Sequence, residues 1–283
     1  MGKSLIQRLK SGDLRVDDRG PLLFTAGAFA HYGLRAMLGQ RVSRNTNQVM
    51  GEYNREERTE HWKRDLAVDD LILGDDHAQQ WIVRDSKLAR GTVREAREYL
   101  LERLAKNVKE VLPDGDGTIV EFGCGTGRNL FFLAQRFPRL KLIGIELTPK
   151  TVERARIVAR DHDWNIEFHV GDMTSPPDLQ TEVDMAYSIH ALEQLPRAYD
   201  QAADAMLNLA NKAVLFLEPI HELFPKSVLG LAARFRIYNA DYLNGLLQHL
   251  EASGARIKHA NLLPTAGYPL NWTGEVCVET VGG

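Results

Sequence analysis

The chain has 283 residues, more than the roughly 100–200 of a typical domain, which favours one large domain or a core with an addition. Its 44% hydrophobic and 26% charged residues exclude wholesale disorder and low-complexity sequence. Thirty-five basic and 38 acidic residues give a net charge of −3, which disfavours a strongly basic nucleic-acid-binding protein.

Cysteine usage and hydropathy both point to a cytoplasmic protein. Two cysteines, Cys124 and Cys277, are too few for a disulfide framework and favour a reducing compartment. The apolar stretch Pro21–Leu38 is interrupted by His31 and Arg35, so it is too short for a membrane span of about 20 residues. We therefore expect a buried helix there, with an interfacial helix as the alternative, and no membrane insertion.

Residues 1–112 predict a helical N-terminal extension or cap. Residues 1–64 carry 12 basic and 7 acidic residues, so this part is basic while the remainder is acidic. Apolar residues at helical spacing predict a helix over about 92–112. Ser4–Leu9, Phe24–Leu38 and Asp75–Leu88 are predicted to be helical or loop-like. Candidate substrate-binding residues in this cap are Tyr53, His61 and Trp62, with helix packing as their alternative role.

A turn-rich run at 112–117 separates this pattern from a second one, over 113–283, in which strands alternate with helices. The predicted strands are Thr118–Phe122, Leu140–Ile145, Ile166–Val170, Met185–Ile189 and Ala213–Leu217, and helices are predicted over Asn129–Arg136 and from Pro149. This alternation is typical of a parallel α/β sheet with right-handed crossovers. The last two strands, Arg256–Leu262 and Glu275–Glu279, predict an antiparallel terminal hairpin.

A glycine-rich turn follows the first of these strands. Gly123, Gly125 and Gly127 lie between the strand and the following helix, where glycine permits positive φ and close approach of a ligand. Glu146 ends the next strand at about the separation expected for a carboxylate that binds ribose hydroxyls. A dinucleotide-binding turn has glycines at positions 1, 3 and 6, whereas these occupy 1, 3 and 5. With Glu121 just before the turn, this spacing favours an aminoacyl nucleoside over NAD and disfavours an oxidoreductase.

This segment resembles the first motif of class I S-adenosylmethionine-dependent methyltransferases of the small-molecule type. Phe168–Met173 and Val183–Leu195 resemble two further motifs of that family. The resemblance implies a Rossmann-like, doubly wound, mostly parallel seven-stranded sheet. It also implies that S-adenosylmethionine is bound through Glu121 and the glycine turn at the methionine part, Glu146 at the ribose, and Asp172 and Met173 at the adenine. Cofactor contacts are further expected of Cys124, Thr126, Asn129, Leu147 and Ser188.

Candidate catalytic residues follow the fourth and fifth strands of the sheet, because ligands gather beyond those strand ends. His190 is either a general base or part of the active-site wall. His221 and Glu222 form a candidate pair for binding the acceptor, with a polar loop as the alternative. No metal site is predicted.

We therefore predict an enzyme that methylates an O or N atom of a small metabolite or natural product. One alternative is a methyltransferase acting on a peptide, protein or RNA held by the basic N-terminal segment. Another is a non-catalytic relative that retains cofactor binding. A small-molecule acceptor is the expected partner, nucleic acid is disfavoured, and a peptide acceptor and a homodimer stay open.

Overall fold

The computed structural model describes residues 20–41, 67–74, 77–195 and 198–280. Ser4–Leu9 and the three candidate substrate-binding residues of the cap, Tyr53, His61 and Trp62, lie outside these ranges.

The described chain begins with helices and a hairpin and continues as alternating strands and helices. In chain order the elements are α1 (Pro21–Met37), α2 (Val68–Leu73), β1 (Gln80–Arg84), β2 (Lys87–Gly91), α3 (Val93–Val111), β3 (Gly117–Phe122), α4 (Arg128–Arg136), β4 (Leu140–Glu146), α5 (Pro149–Asp161), β5 (Ile166–Val170), β6 (Val183–Ile189), α6 (Tyr199–Leu209), β7 (Ala210–Glu218), α7 (Val228–Ala240), α8 (Leu246–Ala252), β8 (Arg256–Leu262) and β9 (Gly274–Glu279). The strands and helices predicted after the turn-rich run agree with these bounds to within about three residues.

The seven-stranded sheet has the order β5-β4-β3-β6-β7-β9-β8. Strands β3 to β7 pair in parallel, and β9 pairs antiparallel with both β7 and β8. The chain leaves β3 towards β4 and β5, then crosses to β6 on the other side of β3. This reversal of direction creates a topological switch point beyond the carboxyl end of β3, where open α/β sheets bind ligands.

Helices cover both faces of this sheet, and each face buries its own apolar cluster. One cluster joins α3, α4 and α5 to the sheet, with Leu104, Phe131 and Val152 fully buried. The other joins α6 and α8 to the opposite face, with Met206 and Leu250 fully buried. The central strands are therefore apolar on both faces, which is the pattern that parallel strands require.

Helix α1 is only partly buried, so the expectation of a buried helix over Pro21–Leu38 is wrong for one of its sides. It packs on α7 through the rings of Phe29 and Phe235, whose centroids are 5.5 Å apart. Its other side exposes Leu22, Leu34 and Met37 to solvent. None of the described helices is long and apolar enough to span a bilayer.

The prediction of helix or loop for Asp75–Leu88 is wrong over most of the segment. Strands β1 and β2 pair antiparallel there and are joined by the two residues Asp85 and Ser86. Both of these residues have positive φ, 49° and 61°, as a type I′ turn requires. The hairpin contacts the loop before β9, where Val83 and Ala266 exchange backbone hydrogen bonds. The N-terminal extension is therefore not wholly helical.

Helix α3 connects this N-terminal part to the sheet. Thr92 caps it, because the Thr92 hydroxyl accepts a hydrogen bond from the Glu95 N–H and the Glu95 carboxylate accepts one from the Thr92 N–H. Leu101, Leu104 and Val108 on α3 belong to the same buried cluster as β3 and β4. A division of the chain at 112/113 into cap and methyltransferase domain stays a prediction.

Candidate functional site

A cavity of about 330 Å³ lies beyond the carboxyl ends of the parallel strands β3, β4 and β6. Its volume falls in the range of about 300–1,000 Å³ that is typical of small-molecule sites. The residues that line it are Arg97, Gly123, Cys124, Gly125, Thr126, Arg128, Asn129, Glu146, Leu147, Thr148, Met173, Ile189, His190, Ala191, Gln194 and Leu195. Eight of the predicted cofactor-binding residues are therefore in one wall: Gly123, Cys124, Gly125, Thr126, Asn129, Glu146, Leu147 and Met173.

The glycine turn takes the conformation for which only glycine is well suited. Gly123, Gly125 and Gly127 have φ values of 69°, 52° and 81°. A Cβ atom at Gly123 would lie 2.5 Å from the Ala191 Cβ and 2.9 Å from the Met173 Sδ. Glycine at this position therefore allows the turn to pack closely against Met173 and the loop after β6.

Glu146 joins the end of β4 to the turn. One of its carboxylate oxygens accepts the Gly125 N–H at 3.1 Å and the other accepts the Thr148 N–H at 2.9 Å. These bonds orient the carboxylate, which lines the cavity. Each oxygen retains a second lone pair, so the group can also accept hydrogen bonds from a ligand.

Glu121 lies behind the cavity wall, so the structure does not show the direct contact expected between this carboxylate and a ligand. The side chain is fully buried and accepts hydrogen bonds from Asn129 at 2.5 Å and from the Tyr187 hydroxyl at 3.0 Å. Burial raises the pKa of Glu121 to about 8, although both hydrogen bonds and the charge of Arg97 oppose this shift. Asn129, which lines the cavity, separates Glu121 from it.

The remaining predicted cofactor-binding residues, among them Asp172 and Met173 expected at the adenine, are divided between the cavity wall and its surroundings. Met173 lines the cavity, whereas Asp172, Gly127 and Ser188 are not in its lining. Asp172 Oδ1 accepts hydrogen bonds from both the backbone N–H and the hydroxyl of Thr174, each at 2.8 Å. Ser188 is fully buried, and its hydroxyl has no hydrogen-bond partner among the described residues.

His190 lines the cavity, but both of its ring nitrogens have protein partners. Nε2 lies 2.8 Å from the Thr273 hydroxyl, and Nδ1 lies 3.2 Å from the Asn271 amide and 3.6 Å from a Glu193 carboxylate oxygen. Burial disfavours the charged imidazole, but the hydrogen bond with Glu193 and the charges of Glu193 and Glu218 outweigh it and raise the pKa of His190. This geometry favours a role in the wall over that of general base.

Glu218, at the end of β7, shapes the loop that follows β6. Its Oε1 atom accepts the N–H groups of Ala191 and Leu192 at 2.9 and 3.1 Å. Its other oxygen is buried and has no hydrogen-bond partner in the described part of the chain. Burial raises the pKa of Glu218 to about 7, against the effect of the His190 charge.

The structure does not bring His221 and Glu222 to the cavity. They begin the short 3₁₀ turn after β7, and neither side chain lines the cavity. The Glu222 Oε1 atom accepts the N–H groups of Gly245 and Leu247, so this carboxylate caps the start of α8. The position of these two residues after the fifth parallel strand predicted that they would lie near the cavity. Instead, the chain turns away from the cavity directly after β7.

Two arginines in the cavity wall were missed by the sequence reasoning. Arg97 comes from α3 and Arg128 from the first turn of α4. Arg128 directly follows the third glycine of the turn, where a cation opposes the helix dipole, and this unfavourable placement was an available signal. Arg97 has no comparable signal, because its position depends on how α3 packs. No group of three or more metal-ligating side chains occurs in the described ranges.

Part of the chain is similar to known methyltransferases. Residues 119–212 match the family model described as a methyltransferase domain. A trans-aconitate 2-methyltransferase of Deinococcus radiodurans is 30% identical over 93 residues, which are 32% of this chain and 34% of that protein. A human tRNA (uracil-5-)-methyltransferase homolog A is 41% identical over 59 residues, 20% of this chain and 9% of that protein. Residues 119–212 are therefore similar to a methyltransferase domain.

Solved structures agree with this fold. The [4+2]-cyclase SpnF has a TM-score of 0.59 at 16% identity, over 86% of this chain and 99% of that chain. Magnesium protoporphyrin IX methyltransferase from Synechocystis, with S-adenosylmethionine bound, has a TM-score of 0.56 at 15% identity. The alignment covers 85% of this chain and 100% of that chain. At such identities the likeness shows the fold alone.

The methyltransferase domain match covers much of the cavity but not all of it. It runs from β3 into β7 and includes the glycine turn, Glu146 and His190. Arg97 and the His190 partner Thr273 lie outside the matched residues. The chain spans about a third or less of the length of the curated relatives it matches.

Proposed function

We propose that this chain transfers the methyl group of S-adenosylmethionine to an O or N atom of a small metabolite or natural product. The observation that carries the proposal is the cavity at the switch point of the sheet. A glycine turn with positive φ and the Glu146 carboxylate lie next to each other there, at the ends of adjacent strands. Such a combination of close backbone approach and an oriented acid suits an aminoacyl nucleoside.

The side chains present fit such a cofactor. The space beside Gly125, where a Cβ atom would meet no other atom within 4 Å, leaves room for a ligand to approach the backbone of the turn closely. We expect Glu146 to accept the ribose hydroxyls and Met173 to pack against the adenine. Asp172 and Ser188 act from outside the lining in this proposal. When bound, S-adenosylmethionine supplies an activated methyl group on a sulfonium centre.

The chain mainly has to position an acceptor and exclude water, because methyl transfer is an in-line displacement. Ile189, Ala191 and Leu195 give the loop after β6 a largely apolar surface next to the turn. His190 contributes its ring to that surface and holds Thr273 and Asn271 in place. The loop thus supplies shape for an acceptor.

The engaged nitrogens of His190 favour an acceptor that needs no general base. A carboxylate oxygen or a neutral amine can attack without losing a proton first, whereas a hydroxyl requires a base. The similarity to a trans-aconitate methyltransferase supports a small acceptor of this kind. The similarity to a tRNA methyltransferase covers 9% of that protein and gives the RNA alternative little support.

Binding tests the cofactor first. Titration calorimetry should show S-adenosylmethionine and S-adenosylhomocysteine binding at micromolar affinity, about −8 kcal/mol, with no heat from NAD. Binding of NAD but of neither adenosyl ligand would contradict the proposal.

Label transfer then identifies the acceptor class. The purified protein is incubated with cofactor labelled in the methyl group and a cell extract, which is afterwards separated by size and by nuclease and protease treatment. Label in the small-molecule fraction is expected. Nuclease-sensitive or protease-sensitive label would instead support a macromolecular acceptor, and binding without transfer would support a non-catalytic relative. Glu146→Ala protein is the control for transfer by this site.

A further inference from the structure

Every exposed side chain of helix α1 is apolar. The exposed residues of this helix are Pro21, Leu22, Leu23, Ala26, Phe29, Ala30, Leu34 and Met37. Leu22 is 84% exposed and Met37 is 80% exposed. The polar side chains of the helix are instead partly covered, and they are Thr25, His31, Tyr32 and Arg35. A helix whose packing is completed by its own chain shows the reverse arrangement, with apolar residues covered and polar ones exposed.

Helix α7 fixes the direction in which this apolar side faces. The Phe29 and Phe235 rings pack with their centroids 5.5 Å apart, and a Cβ atom at Gly33 would lie 3.4 Å from the Phe235 ring. The Asn239 Nδ2 atom donates to the Tyr32 carbonyl at 2.8 Å. These contacts hold the polar side of α1 towards α7, so the apolar side faces outwards.

The shape of the apolar side suits a flat apolar surface better than a groove. At 100° per residue, the exposed residues from Leu22 to Met37 cover an arc of about 140° of the helix. A helix that binds in the groove of a partner protein uses a narrower stripe of anchors at i, i+3, i+4 and i+7. A helix lying in the interface of a bilayer is immersed along one whole side. The 17 residues of α1 are too few to span the bilayer but long enough to lie along it.

The charges around α1 are complementary to an anionic surface. Residues 20–41 contain Arg35 and Arg41 and no acidic residue. Arg41 contacts Asp241 at 3.6 Å and lies 4.0 Å above the Tyr238 ring, yet its side chain is 48% exposed. Residues 1–64 as a whole carry 12 basic and 7 acidic residues, whereas the rest of the chain is acidic. An anionic bilayer therefore attracts the end of the chain that bears α1 and repels the remainder.

The same charges disfavour a second copy of this chain as the occupant. Symmetric pairing of two α1 helices brings the same surface of each copy together. Each copy would contribute Arg35 and Arg41, and residues 20–41 offer no acid to pair with them. Like charges brought together at an interface weaken association.

We infer that the apolar side of α1 docks on an anionic lipid surface, with Leu22, Leu34 and Met37 among the side chains immersed below the headgroups. The inference does not depend on the proposed function. Helix α7 connects the docked helix to the cavity, because Arg236 of α7 donates to Asn271 and the Asn271 amide contacts His190 in the cavity wall.

Vesicle flotation tests the docking with the full-length protein. One set of vesicles is pure phosphatidylcholine, and the other contains about three parts in ten phosphatidylglycerol. The wild-type protein should bind the anionic vesicles at least about tenfold more strongly than the neutral ones. Raising the salt from about 0.1 M to about 0.5 M should weaken this binding, because salt screens the attraction between charges.

The double variant Leu22→Gln, Met37→Gln removes two apolar side chains from the exposed side of α1. Its affinity for anionic vesicles should fall by about tenfold or more, because two side chains no longer leave water for lipid. Val170→Gln is the matched control, since Val170 is also exposed but lies on the edge strand β5. The control should bind vesicles as the wild type does. Thermal unfolding and S-adenosylmethionine binding should be unchanged in the double variant, because both of its substitutions are at exposed positions outside the cavity.

Three results would overturn the inference. The first is no binding of the wild-type protein to anionic vesicles. The second is equal vesicle binding by the wild type and the double variant. The third is a dimer in sedimentation velocity that the double variant dissociates, which would assign the apolar side of α1 to a second copy of the chain. Each of these results leaves the proposed function standing, because that function is tested by cofactor binding and label transfer.

Discussion

Glu146 connects three parts of the site, because its carboxylate binds the turn at Gly125, binds Thr148 and faces the cavity. Glu146→Ala should weaken binding of S-adenosylhomocysteine by about 1–3 kcal/mol, since ligand hydroxyls and two backbone N–H groups lose their acceptor. Calorimetry gives the dissociation constant. Glu182→Ala, at an exposed residue before β6, is the control. An unchanged constant in Glu146→Ala would exclude the ribose role.

His190 can be tested with a substitution that its backbone accepts. Its φ of 51° is in the left-handed region, where asparagine is one of the better tolerated residues. We expect His190→Asn to retain label transfer within about tenfold of wild type, because the ring nitrogens bind Thr273 and Asn271 and not the acceptor. Loss of a general base would instead cost about 10²–10⁴-fold. Single-turnover rates with cofactor binding intact distinguish the two roles.

Sequence spacing was sufficient to predict the cavity residues around the glycine turn. These residues either belong to the turn or end the strand next to it. Gly123, Gly125 and Glu146 are set by the order of two consecutive strands. Arg97 enters the cavity only because α3 packs beside α4, and this depends on tertiary contacts that no local pattern encodes. His221 shows the opposite case: it follows β7 in sequence, yet the chain carries it away from the cavity.

At the scale of elements, the cap of α3 is a prediction that does not depend on any ligand. Thr92→Ala removes the acceptor for the Glu95 N–H and should lower the free energy of unfolding by about 1 kcal/mol. Thr25→Ala is the control, because the Thr25 hydroxyl only donates to the Pro21 carbonyl one turn earlier. Urea denaturation measures both variants. An equal effect of the two substitutions would contradict the capping role.

The hairpin β1–β2 was the element that sequence patterns failed to predict. Its turn consists of Asp85 and Ser86, both with positive φ, whereas asparagine and glycine are the usual indicators of such a turn. Trp81, Ile82 and Val83 supply β-forming residues, but the strand they form is only five residues long. Helix α3 was predictable because it is long and its apolar residues repeat at helical spacing.

At the scale of the whole molecule, alternation of strands and helices was sufficient to predict a parallel sheet. The antiparallel partners β8 and β9 were also predictable as a terminal pair. The exposed side of α1 was not, since an apolar stretch does not reveal whether one or both of its sides will be covered. Patterns of hydrophobicity determine element type better than they determine which surfaces meet.

Two buried acids should make the stability of the whole fold depend on pH. Burial raises the pKa of Glu121 to about 8 and that of Glu218 to about 7, from ordinary values of 4.5. Between pH 4.5 and the raised pKa of each acid, that acid stays protonated in the folded chain, whereas it has lost its proton in the unfolded chain. The contribution of each acid is therefore fully present below about pH 4.5 and is lost as pH rises through 7 or 8.

Glu121→Gln and Glu218→Gln remove this dependence one group at a time. Relative to wild type, the free energy of unfolding of each variant should rise between pH 5 and pH 8, by on the order of 1 kcal/mol or more. The rise should end near pH 7 for Glu218→Gln and near pH 8 for Glu121→Gln, because each stops at the pKa of the group removed. Urea denaturation at four pH values gives the profiles, with the exposed Glu153→Gln as control. Profiles parallel to that of the wild type would show that the folded chain keeps both acids ionised.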